Sequence, residues 1–244
     1  MSRSFDGTDD TISILNEANF DFERTDAFSI FGWVKPNVTR SGGEAGYTIV
    51  SKLNSSSPFN GWEFMYAWNN AAQGSKTCIR LFLINAFGSN YIDKFSSIDI
   101  SNDWHHVCAT YSGSSTAAGI NYYVDGVLGN GTATVDSLSL SILNDITPYI
   151  GSRNNAAQWG KGLIADLCIV KKELTINEVR QSMRLPGSLT RNRRGFWPLW
   201  GGATEKDYSG LGNTGTLVGT TLSAENPPIN GIFTVPKPEL IQVF

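Results

Sequence analysis

The stretch WPLWGGATEKDYSGLGNTGTL, residues 197–217, sets two tryptophans around a proline, then a run of Gly, Asp and Asn, then the opening of a β-strand. Such clusters are turn chemistry, and a strand that begins this late in the chain needs a sheet to join. That sheet is legible upstream. Strand candidates separated by turn signals recur at AFSIFGWVK (27–35), GYTIVSKL (46–53), GWEFMYAW (61–68), TCIRLFLI (77–84), WHHVCATY (104–111), GINYYVDG (119–126), PYIGS (148–152) and GLIADLCIV (162–170). Several are apolar on both alternating faces, as central strands are, and the spacing predicts an all-β sandwich or barrel. Asp125-Gly126 supplies a two-residue hairpin turn, in which both central positions need positive φ. The stretch 197–217 therefore reads as a late strand that must join this sheet.

Bulk composition agrees. The chain has 244 residues, is 41% hydrophobic, and carries 25 Gly and only 17% charged residues. That is enough for one large core and favours short strands joined by tight turns over helices with charged outer faces. A net charge of -3 gives no reason to expect nucleic acid or an acidic membrane as a partner. No run approaches the roughly 18–20 apolar residues of a membrane helix. The opening MSRSFDGTDDTISIL lacks the pattern of a secretory signal, so export is expected only by another route such as cell lysis. Cys78, Cys108 and Cys168 sit far apart in apolar runs and read as buried free thiols.

One helix is expected near 175–185. Thr175 and Glu178 form a T-x-x-E capping box, Ile176, Val179 and Met183 share a face, and Leu185-Pro186-Gly187 ends the segment. Around it residues 153–194 hold nine Lys or Arg against three acids. This is either an interface for an acidic partner or a solvated surface. From residue 226 four prolines interrupt IFTV and LIQVF, which predicts an extended arm over 226–244 rather than a packed strand. Its apolar residues Ile232, Phe233, Val235, Leu240, Ile241 and Phe244 would lie on the domain's own flank or on a neighbouring subunit.

FDGTDD (5–10), FSIFGWVKP (28–36), WHHVCATY with YYVDGVL (122–128), and YIGSRNNAAQWGKGLIADLCIVKKELTINEV (149–179) together resemble the laminin-G-like group of concanavalin A-like lectin/glucanase domains. The resemblance implies a jelly roll of two antiparallel sheets over residues 1–225. It departs in order: a WPL…DYSGLGNTGTL segment usually comes first in the family and here follows the helix. Residues 196–222 would then supply the missing edge strand, in cis or to an adjacent copy.

The family's glucanases carry an E-x-D-x-E cluster whose alternation puts the carboxylates on one face. None is present, and Glu63 in GWEFMYAW has no carboxylate two residues away, so no catalysis is expected. His105 and His106 are adjacent and would point to opposite faces of a strand. The resemblance implies a structural Ca²⁺ held through Asp166, with Asp207 or Asp6 adding oxygen; the alternative is an Asp tying a loop. Trp62, Phe64, Tyr66 and Trp68 share one face, read as core with sugar stacking as the alternative. The candidate glycan site comprises Trp68, Asn69 and Asn70 with Arg153, Asn154, Asn155, Gln158 and Trp159, amides beside tryptophan that suit sugar hydroxyls. The expected function is a non-catalytic structural or interaction protein, foremost a bacteriophage virion component such as a capsid decoration or fibre-associated protein. It would contact other capsid subunits or itself through the carboxyl-terminal segment, and cell-surface glycans. A soluble lectin-like module and a degenerate glycoside hydrolase are the alternatives.

Overall fold

Alternation of apolar side chains sorts the chain into two layers. The computed structural model describes residues 1–39, 45–69 and 74–229, with the side chain of Asn69 outside that description. Its strands are β1 (Ser2–Asp6), β2 (Thr11–Ile14), β3 (Phe28–Pro36), β4 (Ala45–Leu53), β5 (Gly61–Asn69), β6 (Lys76–Ala86), β7 (Asn90–Ser96), β8 (His105–Tyr111) and β9 (Ile120–Val124). After these come β10 (Val127–Leu128), β11 (Asn130–Asp136), β12 (Tyr149–Ile150), β13 (Lys161–Val170), β14 (Arg193–Trp197), β15 (Thr204–Glu205), β16 (Gly215–Val218) and β17 (Thr221–Ser223). One sheet of eight strands runs β10-β9-β8-β3-β13-β1-β17 with β14 also on β13; the other, of nine, runs β11-β7-β6-β5-β4-β12-β2-β16-β15. Every pairing is antiparallel.

Between the sheets Trp62, Phe64, Tyr66 and Trp68 of β5 meet Phe28, Ile30, Val107, Ile164, Leu167 and Trp197, all buried. The aromatic face of β5 is therefore core, and Trp68 is not an exposed sugar platform: it is 6% exposed in the inter-sheet layer. β7 and β11 were not legible in sequence. NYIDKFS and NGTATVD are polar, and β11 alternates between exposed and half-buried positions as an edge strand does. At the Asp125-Gly126 turn both φ values are positive, at 52° and 73°.

The segment 196–222 packs in cis and closes both layers. β14 pairs with β13, β16 with β2 over Gly215–Val218, and β17 with β1 through Ser2↔Ser223. Trp197 is fully buried and donates its indole N–H to the Asn213 carbonyl at 2.8 Å. A buried ion pair joins β1 to β15: Arg3 Nε donates to Glu205 Oε1 at 2.9 Å, and Arg3 Nη2 donates to the Gly201 carbonyl at 2.7 Å.

The one α-helix among the described residues, α1 (Ile176–Arg184), carries the expected capping box of Thr175 and Glu178. Its buried positions are Val179 and Ser182, whereas Ile176 is exposed, so the apolar stripe is narrower than the sequence implied. The helix covers Phe31, Cys108, Cys168, Val170 and Phe196 on the outer side of the eight-stranded sheet. His106 lies beneath it, 3.3 Å from Ser182 Oγ, while His105 faces out to Asp125 at 2.8 Å. All three cysteines are buried free thiols.

Candidate functional site

Two-residue alternation that buries the aromatics of β5 sends Glu63 and Met65 to the outer side of the nine-stranded sheet. Register builds a row there across four strands, Ser51, Glu63, Phe82 and Asp93, and beside it a second row, Thr48, Met65, Arg80 and Phe95. Glu63 is fully buried and accepts from Thr48 Oγ1 at 2.6 Å and from Arg153 Nε at 3.1 Å. Asp93 takes a bidentate pair from Arg80, both contacts 2.6 Å. The Arg80 guanidinium also lies over the rings of Phe82 and Phe95, 3.9 and 4.4 Å from their centroids. Two strand spacings separate the two carboxylates, about 9–10 Å. Each is occupied by an arginine rather than left to meet a substrate.

Arg153 belongs to a hairpin that folds over this face. Its carbonyl and amide bridge to Ala157, Asn154, Asn155 and Gln158 all adopt positive φ, and the Gln158 carbonyl accepts from the Thr48 amide at 2.9 Å. The Asn154 side chain donates to Ser55 Oγ at 3.2 Å. Asn155 is exposed, with Gln158 and Trp159 half-buried, so these three form the open part of the loop. Arg153 and Asn154 instead anchor it. Gln158 Oε1 lies beside Gly46, which pairs with Ala67, so the hairpin sits at the β5 end that carries Trp68. Asn70 and the side chain of Asn69 lie outside the described residues. Sequence reasoning found the loop but missed its anchor, because Glu63 lies 90 residues away and no local pattern joins the two.

The three calcium candidates are placed differently. Asp207 accepts from the amides of Phe196, Ser209 and Asn213, which ties its own loop. Asp6 pairs with Lys161 at one end of β1, and Asp166 lies past the opposite end, where Arg3 is matched with Ile164. Asp6 instead joins Asp9 and Asp10, whose carboxylate oxygens lie within 4.8 Å of its own. Burial raises Asp10 above the usual carboxylate range, with the Asp6 and Asp9 charges adding to that and the Asp6 amide opposing it. Asp6 is thus at the wrong end of β1 to share an ion with Asp166. The arm residues Ile232, Phe233, Val235, Leu240, Ile241 and Phe244 lie outside the described residues. The basic stretch 153–194 is partly spent internally, through Arg153 on Glu63, Lys171 on Asp26 and Lys172 on Glu178. Among the described residues no helix is long and apolar enough to cross a membrane.

Solved structures share this architecture. A Bacteroides ovatus protein provisionally described as carbohydrate-binding superposes with a TM-score of 0.59 at 16% identity, over 94% of this chain and 62% of its own. The chain thus spans less than two thirds of that protein. The binding domain of botulinum neurotoxin serotype G gives 0.53 at 18% identity, over 77% of this chain and 43% of its own. The binding domain of Paraclostridial Mosquitocidal Protein 1 gives 0.50 at 17% identity, over 77% and 44%. At such identities these show the fold alone. Among curated proteins none matches. A family model matches residues 6–180, most of the chain, and by that match the protein belongs to the laminin-G-like family of the concanavalin A-like lectin/glucanases superfamily.

Proposed function

We propose that the chain is a non-catalytic, lectin-like module that binds a glycan at the hairpin 153–159. The observation that carries this reading is the pair of half-buried Arg153 with fully buried Glu63, joined by Thr48, which fixes a loop whose remaining open groups are an indole and two amides. A loop held before binding loses less entropy on binding. Trp159 would stack on a sugar ring while Asn155 and Gln158 hydrogen-bond its hydroxyls. The carbohydrate-binding description of the Bacteroides ovatus protein that shares the fold supports the same class of ligand. Occupation of Glu63 and Asp93 by arginines supports binding over hydrolysis, since a glycosidase needs one carboxyl free to deliver a proton.

The test is a glycan array on the wild-type chain followed by Trp159→Ala and Asn155→Ala. Saturable binding to a glycan class, weakened about tenfold or more by Trp159→Ala, is expected. An array without a hit, or binding indifferent to both changes, would overturn the reading. A place in a bacteriophage particle, as capsid decoration or fibre-associated subunit, is the finer form of this proposal and rests on the sequence resemblance. A native mass well above 26.6 kDa in solution supports assembly, and a lone chain counts against it.

A further inference from the structure

β1 and β14 lie end to end on the same edge of β13, matched with Lys161–Ile164 and Leu167–Val170 respectively. At the gap between them sits Asp166, whose amide donates to the Pro198 carbonyl at 3.2 Å. Asp166 and Leu199 both hold positive φ, 51° and 61°, a backbone conformation costly for leucine. Beside this fork opens a cavity of about 410 Å³, lined mainly by Leu185, Pro186, Phe196, Trp200 and Tyr208, with Asp166 in its wall and Arg184 on its border. That size suits a small ligand, and the walls are apolar.

Charge around the cavity is mostly positive. Arg184 is exposed with no acceptor among the described residues. Arg193 bridges two of the walls by donating to the carbonyls of Gly187 at 3.3 Å and Tyr208 at 2.8 Å, and its buried Nε finds no acceptor among the described residues. Lys206 lies 5.1 Å from the Tyr208 ring centroid. The Met1 amino group faces Asp166. The nearby Asp207 carboxylate is already satisfied by backbone amides.

We propose that this cavity binds an amphipathic organic anion, its apolar body against Phe196, Trp200 and Leu185 and its anionic head at Arg184. The site lies on the outer side of the eight-stranded sheet, so it stands or falls independently of the glycan hairpin on the other sheet. Asp166 in the wall and the nearby Asp207 are the carboxylates that oppose an anion among the described residues. A calcium ion fits poorly, because it needs six to eight oxygens and these walls are chiefly aromatic and aliphatic.

The test is calorimetric titration of the full chain with octanoate, octanol and octylammonium at neutral pH. Saturable octanoate binding is expected, with octanol and octylammonium weaker. Arg184→Ala, an exposed substitution, should weaken octanoate about tenfold. Asp166→Asn, which removes a carboxylate from the cavity wall, should tighten octanoate, an effect a merely structural role would not produce. Octylammonium or octanol binding as tightly as octanoate, indifference to Arg184→Ala, or no saturable heat up to about 10 mM ligand would overturn the proposal.

Discussion

Replacing Glu205 by alanine tests whether the carboxyl-terminal segment seals the sandwich in cis. Glu205 is 1% exposed and Arg3 2%. The carboxylate accepts from Arg3 and from the Gly201 amide at 3.1 Å, so Glu205→Ala strands a buried guanidinium and orphans an amide. Breaking a buried pair from one side costs about 3–5 kcal/mol, because the remaining charge stays in low dielectric without compensation. In a domain of this size about 1 kcal/mol moves Tm by roughly 2–4 °C, so a fall of about 6–20 °C is expected. The double change Arg3→Met with Glu205→Leu leaves no stranded charge and should recover most of that loss. Thermal unfolding followed by circular dichroism, repeated over a wide range of protein concentration, reads both effects. A loss under about 1 kcal/mol for Glu205→Ala, or no recovery in the double variant, would refute the buried pair. A Tm that climbs with concentration would show the segment exchanged between copies instead.

Two further outcomes concern the core and pH. Trp197→Ala removes a fully buried indole that hydrogen-bonds Asn213 and lies 5.9 Å from the Phe20 ring, and should cost about 3–5 kcal/mol in urea unfolding; a loss under about 1 kcal/mol would mean the ring is not core. His106 is held neutral by burial, its pKa pushed down to about 3 against the weaker pull of Asp125. The unfolded chain protonates this ring below about 6.5 and the folded chain does not, so stability is full above that pH and is lost as pH falls toward 3. The loss is on the order of 5 kcal/mol. His106→Phe should flatten that slope in urea midpoints measured across the acid range, and an unchanged slope would refute the assignment.

The fold was legible because its signals are local. Alternation in GWEFMYAW and AFSIFGWVK, the Asp125-Gly126 turn and the Thr175–Glu178 box each act within a few residues, and all of them appear in the structure. β11 escaped because an edge strand needs no apolar face of its own and borrows order from its neighbours, and β7, buried between β6 and β11, because Asp93 and Lys94 break its apolar pattern. Trp68 shows the limit of a face read from one strand. Alternation groups it with Trp62, Phe64 and Tyr66, but only the second sheet decides that this face points inward.

By itself the sequence determined a two-layer antiparallel sandwich with one capped helix, and a carboxyl-terminal strand in need of a partner. Tertiary structure decided that this strand closes its own chain. It also joined Arg3 to Glu205 and Arg153 to Glu63, and placed Asp166 at the gap between β1 and β14. The reason is range: turn and alternation energies depend on neighbours in the chain. Pairing of buried charges depends on which distant residues the packed sheets bring within hydrogen-bond reach.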